Sequence, residues 1–175
     1  MLASASTPLI VRAGPPDLDD LLPLFEGYLA FYGRHSDCPQ QARTYLGDRL
    51  ALDDAVVLLA RNPAGKALGF AQLFPSFTSL GMARTWVLND LYVAAHSRHG
   101  GVGQALLQAV IEFARVTGRA QVVLETGVDN HRARALYERA GFTATQGFVG
   151  YGLRLAAAAP GSDRRDQVAH GVPAC

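Results

Sequence analysis

The sequence predicts a mixed α/β domain: a central, mixed, twisted sheet with helices on both faces. Two observations lead there. Apolar runs of strand composition alternate with segments whose apolar residues recur at helical spacing, in the order β-α-α-β-β-β-α-β-α-β, without an internal repeat. The nearly all-apolar stretch from Thr85 to Val93 also runs into a Gly-rich, basic turn, Arg98 to Gly103, that opens a helix, an arrangement suited to a central strand.

Leu9 to Ala13 is the first strand, ended by Gly14, Pro15 and Pro16. Asp17 can cap the helix that follows, and Pro23 predicts a kink or a late start. Leu24, Phe25, Tyr28, Phe31 and Tyr32 then recur at helical spacing before Gly33. Pro39 suits the first turn of a second helix with Ala42, Tyr45, Leu46 and Leu50 on its apolar side. Val56 to Ala60 and Ala67 to Phe74 form a hairpin around Asn62-Pro63-Ala64-Gly65. Pro75 to Arg84 reads as a loop and Thr85 to Val93 as the central strand.

Gly103 to Thr117 is a long helix ended by Gly118, and Gln121 to Glu125 a short β-branched strand. Asp129 or Asn130 caps a last helix carrying Ala133, Leu136, Tyr137 and Ala140. Val149, Tyr151, Leu153 and Leu155 alternate with Gly150, Gly152 and Arg154, the two-residue period of a final strand. The expected organisation is one domain over residues 7–155, followed by a disordered tail over 156–175 with little to bury.

Composition narrows the function classes. With 49% apolar and 18% charged residues and a net charge of +1, nothing in the overall balance favours a nucleic acid or an acidic membrane as partner. Cys38 and Cys175 lie far apart and do not form the pattern of a disulfide framework or a metal cage, which points to a reducing, cytoplasmic setting and no metal. The N-terminal stretch lacks the features of a secretory signal, and no apolar run approaches the ~18 residues of a membrane span.

The turn from Arg98 through His99, Gly100, Gly101, Val102 and Gly103 to Gln104 offers consecutive backbone N–H groups at a helix start, with Arg98 adding charge. Such a turn binds pyrophosphate; alternatively its glycines only make a tight strand-to-helix connection. Leu106 stands where a dinucleotide-binding turn needs its third Gly, and no Lys-Ser or Lys-Thr pair of a P-loop is present, so a nucleotide-binding domain is disfavoured. Asn130 and Tyr137 are two helical turns apart and can face one groove, before Gly141-Phe142.

The Arg-x-x-Gly-x-Gly turn after a strand, followed by Asn, Ala and Tyr at this spacing, resembles the GCN5-related N-acetyltransferase superfamily. LNDLYV, NHRARALY and FEGYLAFY are similar to its histone and polyamine acetyltransferase branch. The resemblance implies a sheet with a V-shaped split between two parallel strands, acetyl-CoA as donor, and direct transfer to a primary amine of a polyamine, amino acid or drug-like molecule, less readily a protein lysine or N-terminus.

Carried onto this chain, it implies that backbone groups of Leu91, Tyr92 and Val93 hold pantetheine, that Arg98 to Gln104 hold the pyrophosphate, and that Asn130 reaches the pantetheine. Tyr137 is the implied acid for the leaving thiolate. The base is left between Asp90 and Glu125, because Asn89 stands where diamine acetyltransferases carry Glu. Asp90 follows Asn89 directly, and neighbours on a strand point to opposite faces. Tyr28, Tyr32 and Glu26 are expected at the acceptor site. A homodimer is implied, and the loss of a carboxylate at Asn89 leaves open a non-catalytic acyl-CoA-binding module.

Overall fold

The computed structural model describes residues 7–34, 39–147 and 149–153. It divides into two units, Met1–Phe142 and Thr143–Cys175. The first holds every α-helix and strand assigned among the described residues: β1 (Leu9–Arg12), α1 (Leu18–Phe31), α2 (Pro39–Leu52), β2 (Val56–Arg61), β3 (Ala67–Thr78), β4 (Ala83–Val93), α3 (Val102–Val116), β5 (Gln121–Val123) and α4 (His131–Arg139).

The sheet has the order β1-β2-β3-β4-β5. The first four strands are antiparallel neighbours, and β5 joins β4 in parallel. Both faces are covered, which explains the continuous apolar run of β2. Its Val56, Leu58 and Ala60 pack with Leu106, Leu107 and Val110 of α3. Val57 and Leu59 turn the other way, onto Leu21, Leu24 and Phe25 of α1 and Leu46 of α2. Trp86 ties β4 to the end of α3 by donating from its indole N–H to Thr117 Oγ1 at 3.0 Å.

The parallel pairing covers only Thr85–Val87 against Gln121–Val123. Beyond it β4 continues to Val93 with β3 alone, and this is the predicted split. Ala94 N donates to Leu68 O at 2.9 Å, so by strand alternation the peptide groups of Leu91 and Val93 face away from β3, into the split. Gly69 sits opposite Val93 so closely that a Cβ there would lie 2.5 Å from Tyr92 O. That carbonyl therefore belongs to the β3 side.

Several local expectations change. Asp17 does not cap α1; its carboxylate accepts from Gly14 N at 2.9 Å and pairs with Arg61 at 2.7 Å. These partners, the backbone N–H first, hold it below the usual carboxylate range. Helix α1 begins at Leu18 and accommodates Pro23 in its second turn, on an exposed side where water can satisfy the carbonyl left without a donor. The expected loop Pro75–Arg84 is mostly strand, with only Ser79–Met82 between β3 and β4. Pro75 is tolerated because the β2 pairing ends at Val56↔Leu73, leaving β3 an open edge beyond it. Strand β5 stops at Val123, short of Glu125.

In the second unit, residues 143–147 and 149–153 contain no helix or strand. The expected final strand is therefore absent over 149–153, and its positions 154 and 155, like the tail 156–175, lie outside the described residues. Val149, Tyr151 and Leu153 are exposed, and Gly150 and Gly152 between them supply no side chain to pack, so the alternating pattern has too little to bury.

The Gly69 contact is directly testable. Gly69→Ala should lower stability by about 1–3 kcal/mol in urea unfolding, because the obstructing atom is a backbone carbonyl that cannot rotate aside; an unchanged midpoint would show that the strands can move apart freely there.

Candidate active site

The site grows from an irregularity in β4. Gln72 pairs with Asp90 but Leu73 pairs with Leu88, so Asn89 is the extra residue of a β-bulge. The bulge overturns the expectation that Asn89 and Asp90 point to opposite faces. Asn89 Nδ2 reaches both Asp90 carboxylate oxygens at 3.2 Å. Asn89 stays exposed, whereas Asp90 is only 4% exposed. Burial pushes the Asp90 carboxyl above its usual value, and hydrogen bonds from the Tyr28 hydroxyl and the Asn89 amide partly counter that.

Around Asp90 lies an aromatic layer. Tyr28 packs edge-on to Tyr32, Phe70 and Tyr92, with ring centroids 5.1, 6.1 and 6.4 Å away. Burial, then the neighbouring Asp90 carboxylate, pushes the Tyr28 hydroxyl well above its ordinary value. Gln72 is fully buried, donates to Tyr45 Oη at 3.3 Å, and leaves its own Oε1 without a partner among the described residues. Sequence reasoning missed Gln72 and Tyr45 as members of this layer. The available signal was a lone amide within the otherwise apolar run LGFAQLF.

Tyr28 and Tyr32 line one cleft of about 510 Å3 with Leu29 and Arg34. A second cleft, about 400 Å3, is lined by Gln40, Gln41, Thr44, Tyr45 and Asp48. Glu26 is exposed on α1 and lines neither cleft. Glu125 is exposed beyond the end of β5.

The far end of the split is closed by the glycine turn. Gly101, at φ 78°, is the residue before α3 and provides no side-chain cap, so the first amides of the helix keep unused N–H groups. His99 also has positive φ, 67°. Val102 anchors the turn by burying its side chain in the core. At Gly103 three elements converge: a Cβ there would meet Leu136 of α4 at 3.6 Å and Val93 of β4 at 3.7 Å. His99, Gly100, Gly101 and Gln104 are exposed. Arg98 turns back instead, its Nε donating to Val93 O at 3.2 Å and its guanidinium lying 5.7 Å from the Phe31 ring and 5.8 Å from that of Tyr92.

Asn130 caps α4, accepting from Ala133 N at 3.2 Å. Two turns on, Tyr137 is partly buried against the α3-side core and packs on Phe142 with centroids 5.9 Å apart. Burial pushes its hydroxyl up to about 12, with the Tyr32 hydroxyl adding to the rise, so Tyr137 keeps its proton at neutral pH. Among the described residues no group of three or more metal-ligating side chains occurs, and no helix is long and apolar enough to cross a membrane.

Three comparisons bear on this geometry. The acetyltransferase (GNAT) family model matches residues 21–142, from α1 through the glycine turn to the end of α4. An uncharacterised N-acetyltransferase of Bacillus subtilis is 39% identical over 148 residues, covering 85% of this chain and 98% of its own length. A crystal structure of a "probable acetyltransferase" superposes with a TM-score of 0.78 at 40% identity, covering 85% of this chain and 98% of the other. The split sheet and its glycine turn thus have relatives along nearly their whole length, and the chain belongs to the acetyltransferase (GNAT) family, as an N-acetyltransferase.

Proposed function

We propose that this protein transfers the acetyl group of acetyl-CoA directly to the primary amine of a small molecule, with Asp90 as proton acceptor and Tyr137 as proton donor. The observation that carries the reading is the split itself. It leaves the Leu91 and Val93 peptide groups facing the gap between β4 and β5, with buried Asp90 just before them on the strand and the unused amides at the start of α3 just after it. A long, partly peptidic ligand with a pyrophosphate fits that sequence of donors and acceptors. Leu91 and Val93 would hold its amide portion, the glycine turn its phosphates, and Asn130 would face it from the start of α4. Acetyl-CoA supplies the thioester.

The chain's own groups meet the remaining chemical requirements. An alkyl ammonium with a pKa near ~10.4 must lose a proton before its nitrogen can attack. Asp90, desolvated and raised, is a stronger base than an exposed carboxylate and receives that proton directly or through Tyr28. The C–N bond forms as the C–S bond breaks. The Leu91 N–H, unused by β3, is the donor for charge on the carbonyl oxygen, and neutral Tyr137 protonates the departing sulfur. Glu125 stands exposed past β5, so Asp90 is preferred. The bulge also answers the concern raised by Asn89: it brings the next residue's carboxylate into the buried position, which favours an active enzyme over a binding module.

Calorimetric titration should detect acetyl-CoA binding, and absence of heat at millimolar ligand would refute the donor assignment. Tyr137→Phe should lower kcat in a thiol-release assay by about a hundredfold while leaving the KM for acetyl-CoA nearly unchanged; unchanged turnover would remove Tyr137 from the acid role.

Asp90→Asn should lower kcat by at least about a hundredfold yet leave stability at neutral pH equal or higher. The sign follows from linkage. Folding raises this carboxyl above 3.8, so the wild-type folded state binds its proton more readily than the unfolded chain and gains stability as pH falls through the folded value towards 3.8. The variant should lack that gain in thermal melts. A lower melting temperature of the variant at neutral pH would instead mark the ionised carboxylate as a structural ion.

A further inference from the structure

The end of α1 places an arginine at the cleft lined by Tyr28 and Tyr32. Gly33 N donates to Ala30 O at 3.0 Å and Arg34 N to Leu29 O at 2.9 Å, a helix closure that fixes the Arg34 backbone beside the last turn. Arg34 lines the cleft of about 510 Å3 with Tyr28, Leu29 and Tyr32. One of those walls, Tyr28, also neighbours buried Asp90. The cleft therefore has an arginine on its lining, apolar and aromatic walls, and a carboxylate near one of them.

Acetyl transfer to an amine does not call for that guanidinium. A plain alkyl ammonium or a polyamine is repelled by it, whereas an anion beside the amine gains a planar, bidentate partner. We infer that the acceptor is an α-amino acid with an apolar side chain, its carboxylate paired with Arg34, its side chain against Tyr28, Leu29 and Tyr32, and its amine turned towards Asp90. The inference rests on the acetyl-transfer reading above and specifies its substrate class.

The test is a thiol-release assay with acetyl-CoA and three compounds of each of two series: racemic phenylalanine and leucine, their amides, and their decarboxylated amines, with spermidine alongside. The free amino acids should exceed the amides and decarboxylated amines in kcat/KM by about tenfold or more. Arg34→Gln should raise the KM for the amino acids by about tenfold, the scale of one charge-assisted pair, with a much smaller change for the decarboxylated amines, and Arg34→Lys should recover part of the loss.

Equal turnover of acid and amide, or an equal effect of Arg34→Gln on all three compounds, overturns the inference. Turnover of spermidine alone overturns it too, while the acetyl-transfer reading stands. Thiol release with no amine at all, from protein that binds acetyl-CoA, overturns both.

Discussion

Strand β4 is shared between two partners that it cannot satisfy equally. It pairs with β3 over its full length and with β5 only at Thr85–Val87. Because unpaired backbone groups in a sheet interior are costly, the chain can leave those of Leu91 and the Val93 N–H open only by keeping them accessible in a groove, while the Val93 carbonyl is taken by Arg98. The neighbouring elements serve that requirement. Helix α3 supports the strand from one face through Leu106, Leu107 and Val110, while α1 and α2 support the sheet from the other. The turn before α3 ends the groove with further unused amides.

The bulge at Asn89 is the second element of the design. A regular strand would have kept Asn89 and Asp90 on opposite faces; one extra residue lets the Asn89 amide hold both oxygens of the Asp90 carboxylate. Burying that carboxylate is unfavourable in itself, and the Tyr28 hydroxyl and Asn89 amide offset only part of the cost, which is why its proton affinity stays raised.

Much of this was legible in the residues. The glycine turn and the Asn130-to-Tyr137 spacing pointed to the family, and the order of elements along the chain as far as the last helix followed from periodicity. What escaped was set by contacts distant in sequence. The bulge depends on the register of β3 against β4, which no local pattern around Asn89 records. Pro75 signalled a break only because the end of β2, and so the open edge, could not be foreseen. Gln72 and Arg34 carry no motif and acquire meaning only where the fold puts them. The resemblance to the histone and polyamine acetyltransferase branch goes beyond what the family match supports, since the motifs describe how the donor is held and not the walls that select an acceptor.

Arg98 touches two elements through three groups at once: a carbonyl of β4, the ring of Tyr92 on the same strand and a ring at the end of α1. Whatever draws its guanidinium towards the glycine turn releases a strand acceptor and uncovers two aromatic faces in the same movement. By linkage the influence runs equally in reverse, since packing against those faces alters the readiness of the arginine to leave them. One side chain thus joins the end of β4 to the end of α1 beside the glycine turn.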